Sequence, residues 1–118
     1  MKTILYHNPR CSKSREALAL LKDRGIEPEI IEYLKTPPTE QELEEILTQL
    51  GMEPRDLMRR KEKAYKENGL DNPDLDRAAL IRAMVENPIL IERPIARTGG
   101  KAALGRPLDR IAEMLQTM

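Results

Sequence analysis

The sequence predicts an α/β fold: a small mixed sheet flanked by helices, in the order strand–helix–strand, a helical insertion, then strand–strand–helix. Three observations predict it. Short strand-like runs stand near both ends of the chain, at Thr3-Ile4-Leu5-Tyr6, at Glu29-Ile30-Ile31-Glu32-Tyr33-Leu34 and at Ile95-Ala96-Arg97-Thr98. The middle of the chain has helical spacing instead. The stretch between the first two runs holds one amphipathic helix, the connection that a parallel, right-handed crossover requires.

Each element follows from local chemistry. The first strand covers about residues 2–6, and a helix runs from about 12 to 24, with Ala17, Leu18 and Leu21 on one face and Gly25 at its end. The second strand is Glu29 to Leu34, and Pro37-Pro38 marks a turn. Thr39 and Glu42 form a capping box ahead of the stripe Leu43, Ile46, Leu47, Leu50, which Gly51 ends. A further helical region spans about 54–86, broken near Asn68-Gly69 and Asn72-Pro73, so the helical insertion is about 39–86. Ile89-Leu90-Ile91 reads as a short apolar strand. Gly99-Gly100 signals a two-residue hairpin between Ile95-Thr98 and Lys101-Leu104. Pro107 is placed at the first position of a last helix, whose apolar face is Leu108, Ile111, Ala112 and Leu115.

At 118 residues the chain is expected to form one domain, residues 1–118. It carries 20 basic and 20 acidic residues, which leaves no footprint for general nucleic-acid or membrane binding. The charge is uneven: Glu27, Glu29, Glu32, Glu40, Glu42, Glu44 and Glu45 face only Lys35 in the segment 27–45, while bases dominate from Arg93 onward. The single cysteine excludes an intramolecular disulfide. With no signal-like stretch and no run of transmembrane length, a cytoplasmic protein with a reduced thiol is expected, and a monomer. With three Tyr, no Phe and no Trp, the core must be built from Leu, Ile, Ala, Val and Met.

That cysteine, Cys11, is the chemically pointed residue. It falls at the turn between the first strand and the first helix, where unpaired N–H groups and the helix dipole favour an anion. Arg10, Lys13 and Arg15 add positive charge, so the thiolate is favoured over the thiol. Ser14 makes a Cys-x-x-Ser pair with it. A hydroxyl can donate a hydrogen bond but cannot close a disulfide, so an oxidised or adducted Cys11 must be released by an external thiol. His7, the only histidine, stands four residues before Cys11. It is either a polar strand end or a partner of the sulfur, as an imidazolium or as a base. Arg93 before Pro94, Arg106 between Gly105 and Pro107, and the adjacent Arg59 and Arg60 offer planar donor pairs suited to a tetrahedral oxyanion.

A small mixed sheet with a reactive cysteine after the first strand and a proline before the penultimate one resembles the thioredoxin fold. That resemblance implies a cis Arg93–Pro94 peptide beside the cysteine. The segments Tyr6-His7-Asn8-Pro9-Arg10-Cys11-Ser12-Lys13-Ser14-Arg15, Leu57-Met58-Arg59-Arg60-Lys61, Ile89-Leu90-Ile91-Glu92-Arg93-Pro94-Ile95 and Gly105-Arg106-Pro107 together resemble the glutaredoxin-coupled arsenate reductase family. The resemblance runs in order over essentially the whole chain, with Ser12-Lys13 where the best-known branch has Gly-Thr. It implies Cys11 as nucleophile, His7 and Ser14 as its supporting groups, and Arg59, Arg93 and Arg106 as oxyanion-binding arginines, Arg59 being taken over Arg60 on spacing. It also implies arsenate as substrate, glutathione as co-substrate, glutaredoxin as partner, and no metal or bound organic cofactor. Two other readings stay open: a glutathione-linked thiol–disulfide reductase, and a non-catalytic regulator that binds a protein partner.

Overall fold

In the computed structural model, which describes residues 2–117, strand β1 (Thr3–His7) organises the sheet. It pairs in parallel with β2 (Glu29–Glu32), reached through helix α1 (Ser12–Asp23), and antiparallel with β3 (Ile95–Thr98) on its other side. A further strand, β4 (Lys101–Leu104), completes the order β2-β1-β3-β4. The mixed sheet expected from the sequence is therefore present. The register explains the core. Leu5 pairs with Ala96, and Ala96 with Ala103, which sets one apolar row across three strands. Ala17 and Leu21 of α1 and Ile111 and Met114 of helix α5 (Asp109–Gln116) join that row in one buried cluster. The small Ala96 and Ala103 of β3 and β4 let the larger helix side chains approach.

The chain divides into two compact units. One is formed by the chain up to Thr36 together with everything from Arg93 onward, and the other by Pro37–Glu92. The second unit is helical. Helix α2 (Glu40–Leu50) starts in the expected capping box, with Thr39 and Glu42 exchanging bonds of 3.0 and 3.1 Å, and ends at Gly51 with φ 67°. Its stripe Leu43, Ile46 and Leu47 is buried. The region read as one broken helix is three pieces: a 3-10 turn (Pro54–Leu57), α3 (Lys63–Glu67) and α4 (Arg77–Glu86). Asp76 caps α4 by accepting from the Ala79 N–H at 2.8 Å. Arg77 ties α4 to α2 through Glu44 at 2.9 Å.

Three local expectations are corrected. Ile89-Leu90-Ile91 is not a strand: Pro88–Leu90 form a 3-10 turn, and Ile91 alone bridges Met58. A three-residue apolar run is too short to separate a buried turn from a strand. The second strand stops at Glu32, because Lys35 and Thr36 turn back and donate to the Glu32 carbonyl at 2.9 Å. Pro107 is not the first residue of the last helix; α5 begins at Asp109, after Leu108. The hairpin holds as read, with Gly99 at φ 55° and Gly100 at φ 78°, the values a primed turn needs. The Arg93–Pro94 peptide is cis, and so is Arg106–Pro107. Among the described residues no helix is long and apolar enough to cross a membrane.

Candidate active site

Cys11 occupies the N-cap of α1 in extended backbone geometry, φ −94° and ψ 123°. The loop before it is a tight turn. The Cys11 N–H donates to the Asn8 carbonyl at 2.9 Å, and the Asn8 side chain accepts from the Arg10 N–H at 3.0 Å. The fully buried Ser14 braces this turn: its Oγ accepts from the Asn8 N–H at 3.4 Å. Arg15 closes the loop from outside by donating to the Pro9 carbonyl at 2.9 Å. The Cys11 sulfur is half-buried at the start of α1.

Two arginines distant in sequence reach that sulfur. Arg106 places Nη2 at 3.8 Å from Cys11 Sγ. Its Nε donates to the Arg93 carbonyl at 2.7 Å. Burial alone pushes the Cys11 thiol up. The Ser14 N–H, the Arg93 charge, the Lys13 N–H and a hydrogen bond from Arg93 outweigh it, and the net shift is downward. The helix start thus acts through the N–H groups of Lys13 and Ser14, and the Arg93 guanidinium acts both as charge and as donor.

His7 ends β1 with its side chain buried and its Nδ1 without a hydrogen-bond partner. Burial lowers its pKa, Glu32 raises it, Arg15 lowers it, and the net direction is down from 6.5. The downward shift favours the neutral ring over a standing imidazolium. Glu32 is its register partner on β2, a neighbour that spacing in the sequence does not reveal.

Arg59 belongs to the second unit. There its backbone N–H donates to the Leu90 carbonyl at 2.7 Å, and its guanidinium pairs with Glu62 at 2.8 Å and with Glu92 at 3.7 Å. Arg60 is more exposed and turns to the Arg55 carbonyl at 3.2 Å and to Asp56 at 3.8 Å. Within the first unit, then, Cys11, Ser14, Arg93 and Arg106 come together. Gly105 was legible only as a residue flanking Arg106; its N–H donates to the Pro94 carbonyl at 2.8 Å, a tie with no signal in the sequence.

A polarised thiolate beside two guanidinium groups is suited to attack an electrophilic centre that carries oxyanion charge. Comparison with known proteins identifies the family. The ArsC family model matches residues 6–114. An arsenate reductase of Neisseria meningitidis serogroup A is 54% identical over 112 residues, covering 94% of this chain and 96% of its own. An arsenate reductase of Haemophilus influenzae is 48% identical over 116 residues, covering 98% and 100%. The solved structure of an arsenate reductase from Vibrio cholerae superposes with a TM-score of 0.92 at 50% identity, covering 96% of this chain and 97% of that one. By the family match over most of its length and by these identities, the chain belongs to the ArsC family and has its thioredoxin-like fold.

Proposed function

We propose that the protein is a cytoplasmic arsenate reductase that works through Cys11 and is recycled by glutathione and glutaredoxin. The observation that carries this reading is the double approach of guanidinium groups to one sulfur: Arg106 at 3.8 Å, and Arg93 as charge and donor. Relatives named arsenate reductase at 48% and 54% identity support the choice of oxyanion.

Arsenate binds against Arg93 and Arg106, whose planar donor pairs match its oxygens. The Cys11 thiolate attacks arsenic. A sulfur–arsenic bond forms, an arsenic–oxygen bond breaks, and the oxygen leaves as water after taking up protons from solvent; arsenic is still pentavalent. A glutathione thiolate then attacks the Cys11 sulfur. The sulfur–arsenic bond breaks with its electron pair passing to arsenic, which departs as trivalent arsenite, and the two sulfurs remain as a mixed disulfide. With a single cysteine in the chain, this disulfide has no internal resolving thiol. A glutaredoxin thiolate removes the glutathionyl group and returns Cys11. These steps need no metal and no bound organic cofactor. The family resemblance gives His7 a part in holding Cys11 as thiolate, and its lowered pKa favours the base form of the ring for that part. The family resemblance also gives Arg59 to the oxyanion, and Arg59→Ala tests that assignment through kcat/KM.

The test is a coupled assay with glutathione, glutaredoxin, glutathione reductase and NADPH. NADPH oxidation should rise on adding arsenate and should vanish with Cys11→Ser. A rate that ignores arsenate but responds to a small mixed disulfide would assign the protein to thiol–disulfide reduction instead.

A further inference from the structure

We propose that Gly105 is a positioning residue for the anion site: its missing side chain lets the residue after β4 close onto Pro94, and this closure holds Arg106 against Cys11. The inference rests on the function proposed above and extends it to a residue that touches neither substrate nor sulfur.

Gly105 is buried, and its backbone is not in the left-handed region that favours glycine. The need for glycine here is therefore one of space. A Cβ at this position would stand 2.8 Å from Pro94 Cγ, 2.9 Å from Ile111 Cδ1 and 3.4 Å from Pro94 Cδ. None of these atoms has an easy way out. Pro94 and Ile111 are both fully buried, Ile111 within the core cluster, so neither ring nor methyl has open space to move into.

The closure is a paired tie. Gly105 donates its N–H to the Pro94 carbonyl at 2.8 Å. The next residue, Arg106, donates Nε to the Arg93 carbonyl at 2.7 Å and extends Nη2 to the sulfur at 3.8 Å. Two consecutive residues thus bind two consecutive residues, and the guanidinium that reaches Cys11 is aimed by the second tie. A methyl group at Gly105 has to push this segment away from Pro94. The Arg106 fork then loses its alignment with the sulfur and with an oxyanion bound there, although Arg106 itself is intact. A displacement of about 1 Å at such a site is enough to cost up to about a hundredfold in rate.

The experiment is Gly105→Ala, followed by thiolate absorbance near 240 nm as a function of pH, by kcat/KM for arsenate and by thermal unfolding. The Cys11 midpoint should move up toward the ordinary thiol value, and kcat/KM should fall about ten- to hundredfold. Gly105→Ala combined with Ile111→Val removes the Cδ1 that the new methyl meets. It should recover part of the lost thermal stability while the raised thiol midpoint persists, because the Pro94 contact remains. In an Arg106→Ala background, Gly105→Ala should produce no further change in the midpoint.

A folded Gly105→Ala protein with the wild-type midpoint would overturn the proposal. So would a shift of equal size in the Arg106→Ala background, or a midpoint that returns together with stability on adding Ile111→Val, which marks Gly105 as a packing residue alone. The thiol titration uses no arsenate. A wild-type protein that fails to reduce arsenate while Gly105→Ala still raises the midpoint sinks the proposed function and leaves this inference standing.

Discussion

The Arg106 side chain is tied to the backbone of Arg93: Nε donates to the Arg93 carbonyl at 2.7 Å. The two residues are 13 apart in sequence, yet this bond makes them one cationic assembly, and both act on the Cys11 sulfur. Because Arg106 spends one donor on holding Arg93, its Nη groups are aimed and not free to swing. Preorganisation of this kind is what gives charged donors their catalytic weight.

The first prediction concerns the thiol. Cys11 should titrate below the ordinary ~8.5 of a free cysteine, as read by absorbance near 240 nm. Arg93→Ala and Arg106→Ala should each move the midpoint upward. A wild-type midpoint at or above that value would remove the activated nucleophile. As pH rises through the Cys11 pKa, kcat/KM should climb and then level off, since only the thiolate attacks.

Arginine substitutions should separate charge from shape. Losing one charge-assisted contact to a bound oxyanion costs about 1.5–3 kcal/mol, or roughly ten- to hundredfold in kcat/KM. Arg106→Ala and Arg93→Ala should fall in that range. Arg93→Lys should recover only part of the loss, because an ammonium has no planar fork. Lys13→Ala and Arg97→Ala should be nearly neutral. Lys13 is an exposed residue paired with Glu16 at 3.6 Å, and Arg97 is turned to the Tyr6 hydroxyl at 3.2 Å. A large loss at either would redraw the boundary of the site.

External resolution gives a mass-spectrometric outcome. Oxidised protein treated with glutathione should accumulate a one-to-one mixed disulfide at Cys11, since no second thiol exists to displace it. Full-rate arsenate reduction with thioredoxin alone, in the absence of glutathione and glutaredoxin, would contradict the route.

His7 should leave a mark on stability. Its folded pKa is depressed below 6.5, first by burial and then by Arg15, with Glu32 opposing. Below pH 6.5 the unfolded chain takes up a proton at this position and the folded protein does not, so stability falls as the solution is acidified through that value and levels off below the folded pKa. Above it both states hold a neutral ring and His7 adds no slope. His7→Gln should flatten the wild-type decline in urea-unfolding stability just below pH 6.5. An unchanged slope would show that other groups carry it.

The amino-acid pattern by itself determined the elements whose causes are local. The Thr39–Glu42 box, Gly51 at φ 67° and the Gly99-Gly100 turn are set by residues within a few positions of each other, and all three are present. The placement of Cys11 at the head of α1 was legible for the same reason. Tertiary structure decided what depends on partners far along the chain. Whether Ile89-Leu90-Ile91 extends or turns was settled by Pro88 and by the single bridge from Ile91 to Met58. The charge state of His7 was settled by burial, against the opposing pull of Glu32, which β-sheet register brings beside it from another strand. The aim of Arg106 was settled by the Arg93 carbonyl and by the space beside Gly105. Helix caps and tight turns draw on hydrogen bonds a few residues apart, which a sequence displays. A buried ring's pKa and a guanidinium's direction come from desolvation and from donors and acceptors that only the folded chain brings into reach.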